Sequence, residues 1–271
     1  MDFIASLKSH DPAKHLRGLV YNIGCRIPFQ FTRFSDGELF MLSNKEIQLT
    51  PSGAWVDGKQ VNGQRYEDHD CKTFFPYTDN KISNMLRESL CSSSSCFVLG
   101  LPLPCCAGET MYRDFKLENN IQSTRITTAN LLINHNYPYF VTKCLPVLHI
   151  RPIIMVANRR ADLSYFPSVI KHIKIGDDAK AEIETYLTEL MDFLKSLSMY
   201  DQQEIIILFA ASYFSNILIS KLSYTYNHIT MIDIGTSLHP QMNLGLIRHY
   251  LQLYYLDKES YVYHQCSTKD I

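Results

Sequence analysis

Apolar positions change their spacing several times along the chain, and each change marks an element. Between residues 3 and 24, Ile4, Leu7, Leu16, Leu19 and Val20 recur on one side of a helical projection, which predicts an amphipathic helix. Residues 28–34 (PFQFTRF) read as a strand, and residues 38–43 as a short helix directly after it. Ile82, Met85, Leu86 and Leu90 place a helix over 78–90, capped by Thr78 or Asp79. Residues 96–101 form an apolar strand stopped by Pro102, and helices are expected over 124–133 and 139–147. From there the pattern is regular. Strands at 152–156, 169–173, 204–209 and 230–234 alternate with helices at 179–197, 214–224 and 244–256. Short apolar strands between helices mean an α/β fold: a Rossmann-like, mostly parallel sheet with helices on both faces.

One stretch breaks the pattern. Residues 51–76 carry the turn signals Asp57-Gly58 and Asn62-Gly63 and read as an irregular insertion with a hairpin, placed where a lid would sit. With residues 246–271 as a C-terminal extension, the 271 residues fit one domain spanning 1–271. The apolar fraction, 46%, is enough for a core. The formal charge of −1, from 26 basic and 27 acidic residues without long runs, gives no electrostatic footprint for nucleic acid or a membrane surface. The longest apolar run, Ile205 to Ala211, is too short to span a bilayer, and the N-terminus lacks the apolar core of a secretory signal. A soluble, cytoplasmic protein is expected. Eight cysteines, at 25, 71, 91, 96, 105, 106, 144 and 266, form no CxxC pair and read as reduced, mostly buried thiols.

Parallel sheets bind ligands beyond the carboxyl ends of their strands. After the strand at 28–34 stands Ser35-Asp36-Gly37-Glu38; after 152–156, Ala157-Asn158-Arg159-Arg160; after 204–209, Ala210-Ala211-Ser212; and after 230–234, Gly235-Thr236-Ser237-Leu238-His239. Carboxylates suit Mg²⁺ or Mn²⁺, arginine grips phosphate bidentately, and a helix start offers N–H groups to an anion. Each piece also has a plain structural use. Asp36 can be an N-cap and Glu38 a partner of the helix dipole. Arg159 and Arg160 can be solvated, Ser212 a cap, and His239 a loop histidine bonded to backbone. There is no GxGxxG, GxxxxGK[ST], GxSxG or HExxH.

Taken in order, these segments resemble the metal-dependent glycosyltransferases of the GT-D fold. Phe31–Leu42 (FTRFSDGELFML) is similar to the family's Arg-Phe/Tyr-Gly-Asp-Gly-Glu signature with its Asp-x-Glu metal motif. Ser123-Thr124-Arg125, Pro152–Leu163 and Glu204–Asn243 are similar to its later elements, the last including Asp233-Ile234-Gly235. Ser35 stands where the family usually has glycine, and Ala210-Ala211-Ser212 replaces a Gly-Pro-Thr-like turn. The resemblance implies transfer of a sugar from a nucleotide-sugar, usually a UDP-sugar, to a glycan or glycoconjugate acceptor. Asp36 and Glu38 would hold Mn²⁺ or Mg²⁺. Arg33, Arg125, Asn158, Arg159 and Ser212 would serve the donor, and Glu38 or His239 would take the acceptor's proton. Two other readings use the same residues: a metal-dependent phosphohydrolase, and a non-catalytic sugar-binding or scaffold protein.

Overall fold

The computed structural model describes residues 1–9, 11–63, 66, 67, 70–91, 94–102, 113, 115, 118, 121, 125–177 and 180–258. After two helices, Phe3–Ser6 and Pro12–Cys25, the chain enters β1 (Gln30–Arg33) and the helix Asp36–Leu42. Four short strands follow: β2 (Ile47–Thr50), β3 (Gly53–Val56), β4 (Lys59–Asn62) and β5 (Lys72–Phe74). Beyond the helix Asn80–Ser89 come β6 (Phe97–Leu101), β7 (Ile126–Thr128), β8 (Ile153–Asn158), β9 (Val169–Ile175), β10 (Ile206–Ala210) and β11 (Thr230–Asp233). Seven strands form one sheet in the order β7-β6-β1-β11-β10-β8-β9, and every neighbouring pair is parallel. The expected α/β sheet is therefore present.

Side chains alternate across a strand, so each strand feeds two cores. In β8, Ile154 and Val156 join one apolar cluster, while Ile153, Met155 and Ala157 join the other. In β10, Ile207 and Phe209 are divided from Ile206 and Leu208 in the same way. Helices Asn80–Ser89, Ile183–Ser196 and Tyr213–Ser223 cover the first face. Pro12–Cys25, the helical residues 137–148 and His249–Leu256 cover the second.

Several expectations need correction. The helix over 3–24 is two helices, because Pro12 disfavours helical backbone at Asp11, which instead caps the second helix by accepting from Ala13 N at 2.9 Å. Residues 126–128 form β7 within the span expected as the helix 124–133. Their Ile-Thr-Thr sequence is β-branched throughout and pairs with β6. Ser123 and Thr124 lie outside the described residues. The supposed irregular insertion supplies β3, β4 and β5 of a second, antiparallel sheet, ordered β4-β3-β2-β5, whose β2 lies just before it. Asp57 and Gly58, both with positive φ (48° and 72°), make the tight turn joining β3 to β4. The last helix starts at His249 rather than 244. Its Tyr250 and Leu251 are buried in the second core, so this part of the C-terminal region is not an appendage. Among the five described cysteines only Cys144 is buried. Cys25 and Cys91 are exposed at the ends of amphipathic helices, and Cys105, Cys106 and Cys266 lie outside the described residues. Among the described residues no helix is long and apolar enough to cross a membrane.

The topology fixes where a ligand can enter. The segment after β1 packs on the first face through Leu39, Met41 and Leu42. The helix after β10 packs there too. The segment after β11, which lies between these two strands, turns to the second face through Leu238, Met242 and Leu244. Neighbouring connections that leave in opposite directions open a crevice at the carboxyl ends of β1, β11 and β10.

Candidate functional site

That crevice is a cleft of about 700 Å³. Its floor is polar and its side is apolar. Arg33, the last residue of β1, is 8% exposed, and its Nε donates to Ala129 O at 2.7 Å. Asn216, buried on the helix after β10, locks the Arg33 backbone in both directions: Arg33 N donates to Asn216 Oδ1 at 3.1 Å, and Asn216 Nδ2 donates to Arg33 O at 2.9 Å. The guanidinium lies across Gly235, where a Cβ would stand 1.8 Å from Nη1. Glycine is required there by the close approach and by its φ of 51°.

The Ser35-Asp36-Gly37-Glu38 segment turns from β1 into a helix. The N-cap is Ser35 rather than Asp36. Glu38, itself buried, accepts at Oε2 from Ser35 N (2.9 Å) and from the Ser35 hydroxyl, the carboxylate arm of a capping box. Its Oε1 accepts nothing from a described residue. Asp36 is exposed at the cleft and has no hydrogen bond or ion pair with a described residue. Apart from its chain neighbours and its own helix backbone, Gly37 has no atom of a described residue within 4 Å of where a Cβ would stand, so it does not relieve crowding against another element.

Asp233 at the end of β11 completes the floor, and it was not among the residues singled out from sequence. It is 4% exposed, and Oδ1 accepts from Gly235 N at 2.9 Å. Burial pushes its carboxyl up to about 7. The Arg33 guanidinium opposes that rise and the Glu38 charge adds to it. Its position near the end of a strand was visible in the Asp233-Ile234-Gly235 segment. What sequence could not show was that Arg33 would reach it from a strand two hundred residues away.

At the β10 turn, Ser212 has φ 53° and ψ −145°, a backbone that glycine adopts readily and serine does not. Its hydroxyl accepts from Lys72 Nζ at 3.0 Å. Lys72 belongs to the small sheet, near Asp70 (3.6 Å), and Asp70 also pairs with Arg248 at 2.9 Å. Arg248 in turn lies over the Tyr66 ring, 5.2 Å from its centroid. The segment expected to be irregular thus brings a cation to the cleft and is fastened to the C-terminal region. Val56, Val61 and Phe74 of the same segment, with Leu49 of β2 beside it, supply the apolar side of the cleft.

Of the other sequence candidates, His239 lines the cleft and is 7% exposed, in the turn after β11. Asn158 lines it at the end of β8. Arg159 and Arg125 are not part of the lining. Arg159 points outward and pairs with Asp177 at 3.3 Å, as Arg160 does at 2.8 Å. Arg125 precedes β7 instead of opening a helix, and it donates to Phe97 O (3.0 Å) and Ser94 O (2.8 Å), toward the amino end of β6 and away from the cleft.

The fold and the site thus define an α/β parallel-sheet protein whose cleft lies at the topological switch point, with a floor of carboxylates and arginine. No family model and no curated protein matches the chain. Two solved structures are similar to it. One is described as domain of unknown function 1792, with a TM-score of 0.48 and 13% identity, covering 94% of this chain and 80% of that one. The other is described as the same conserved domain with a distinct glycosyltransferase fold, with a TM-score of 0.44 and 15% identity, covering 87% and 77%.

Proposed function

We propose that the chain is a glycosyltransferase that moves a sugar from a nucleotide-sugar, a UDP-sugar in the first instance, to a glycan or glycoconjugate acceptor, with Mn²⁺ or Mg²⁺. The observation that carries this reading is the convergence of Asp36, Glu38 and Arg33 on a switch-point cleft of nucleotide-sugar size. The donor set suits a hard cation: Asp36 is open to the cleft, and Oε1 of Glu38 is not used by a described residue. Among the described residues no group of three or more His, Cys, Asp or Glu side chains could hold a metal. Two carboxylates are what Mg²⁺-type sites commonly take from protein, with water and substrate phosphates filling the rest. When bound, the cation supplies neutralisation of the charge that gathers on a departing diphosphate.

The chain's own residues divide the remaining work. Arg33 keeps Nη1 and Nη2 for phosphate oxygens while Nε holds its place on Ala129. Lys72 and the start of the helix Tyr213–Ser223 add positive potential beside it. The apolar wall excludes water, which otherwise competes with the acceptor. The acceptor's hydroxyl proton would go to the His239 ring, or to Glu38 where Asp36 alone holds the cation.

The test is release of nucleoside diphosphate from a panel of nucleotide-sugars, with Mn²⁺, by wild type and Asp36→Asn. Turnover of at least one donor is expected, falling by about a hundredfold or more in the variant at an unchanged melting temperature. A variant with near-normal turnover would leave Asp36 as no more than the first residue of a helix.

A further inference from the structure

The cleft is chemically uneven along the sheet edge. At its β1, β11 and β10 end stand the cations Arg33, Lys72 and Arg248 among the carboxylates Asp36, Glu38, Asp70 and Asp233, so a phosphate is received there by the cations and by the divalent ion that Asp36 and Glu38 would hold. At its far end, beyond β8 and β9, stand Asn158 and Asp177. Asn158 Nδ2 donates to Asp177 Oδ1 at 2.9 Å, and Asn158 Oδ1 accepts from Arg160 N at 2.9 Å. Asp177 Oδ2 accepts from Arg160 Nη2 (2.8 Å) and Arg159 Nη2 (3.3 Å). The Asn158 hydrogen bond, followed by the two guanidinium charges, holds the Asp177 carboxyl below its ordinary range, so it is ionised. Both arginine side chains are largely exposed and lie outside the lining. What this end shows the cleft is therefore a carboxylate and an amide. A phosphate would be repelled there. A hydroxyl, which donates and accepts at once, matches a carboxylate acceptor beside an amide with one N–H to spare.

Strands in a sheet lie about 4.8 Å apart, so β9 is about 10 Å from β10 and about 19 Å from β1 along the edge. A nucleoside diphosphate-sugar can lie across that interval. We infer that Asp177, oriented by Asn158, is the specificity-determining residue that reads a ribose hydroxyl of the donor. The donor then lies with its nucleoside over β8 and β9 and its diphosphate over β10, β11 and β1. This rests on the nucleotide-sugar reading above. It also gives Arg159 and Arg160 a role different from phosphate binding: they hold Asp177 ionised and in place.

The experiment is calorimetric titration of the full chain, in Mn²⁺, with UDP, CDP, GDP and ADP, and then with the 2′-deoxy and 3′-deoxy analogues of the tightest binder. Wild type, Asp177→Ala and Asp177→Asn are compared, each first shown to melt as wild type does. Wild type is expected to prefer the ribonucleotide over at least one deoxy analogue by about tenfold or more, and Asp177→Ala by about twofold or less. Asp177→Asn, which keeps the shape and loses the charge, is expected to fall between them and serves alone if the alanine variant does not fold. Binding with an unchanged ribose-to-deoxyribose ratio in the variants overturns the inference and leaves the functional reading standing, including the case where only the preference among bases changes. Failure of wild type to bind any of the four diphosphates overturns both.

Discussion

Asp233 holds a carboxyl inside the protein with one cation beside it and a second carboxylate close by. In the unfolded chain it ionises near 3.8, but in the fold only near 7, because burial outweighs Arg33. Between those values the native state keeps a proton that the unfolded state has released. Asp233's contribution to stability is thus best below pH 4 and falls as pH rises towards 7, by about 4 kcal/mol in all. Asp233→Asn retains an acceptor for Gly235 N and removes the charge. In metal-free buffer it is expected to melt with wild type near pH 4 and about 5 °C or more above it at pH 8. A difference between the two proteins that does not change with pH would contradict this account of the floor. Gly37 makes a second residue-scale case. A methyl group there would meet no described residue beyond its own helix and points to what enters the cleft that Gly37 lines. Gly37→Ala is expected to keep or raise stability, by up to about 1 kcal/mol, and to lower donor turnover. Full turnover in this variant would make the glycine incidental. At this scale the sequence showed Asp36, Glu38, Arg33 and His239 as candidates, since each follows or ends a strand with a clear apolar pattern. It hid Lys72 and Arg248, whose positions depend on contacts between distant segments.

The element that sequence reading missed is the small antiparallel sheet. Its strands are three or four residues long and separated by turn residues, so no alternation builds up long enough to stand out. The expected hairpin at Asp57-Gly58 was readable because both residues favour positive φ. The contacts that place this sheet over the cleft, Asp70–Arg248 and Lys72–Ser212, join residues 178 and 140 positions apart. Arg248→Ala removes one of them and leaves Asp70, which is largely buried, with one cation fewer. Hydrogen exchange is expected to quicken in β2 and β5 while β1, β8, β10 and β11 keep their protection, at a loss of about 1–3 kcal/mol in stability. Unchanged exchange in β2 and β5 would show that the sheet is held by its apolar face alone.

At the scale of the whole molecule the large sheet was legible and its strand order was not. Apolar runs at 152–156, 204–209 and 230–234 lie within a residue or two of β8, β10 and β11, because strands buried on both faces must be apolar throughout. Nothing local says that β10 and β11 fill the space between β8 and β1. Yet that order sets the chain after β1 and the chain after β11 on opposite faces and opens the cleft between them. The cleft is proposed to take a nucleotide-sugar by its diphosphate, with a divalent cation on Asp36 and Glu38. The most direct test is the thermal unfolding of the full chain against a series of nucleoside diphosphates and nucleotide-sugars, each with and without Mn²⁺. A ligand at a hundred times its dissociation constant stabilises the native state by about 2.7 kcal/mol. A rise of that order is expected with at least one nucleotide, present with Mn²⁺ and lost both without it and in Asp36→Asn. A transition that no nucleotide moves, with or without the metal, would contradict the proposal.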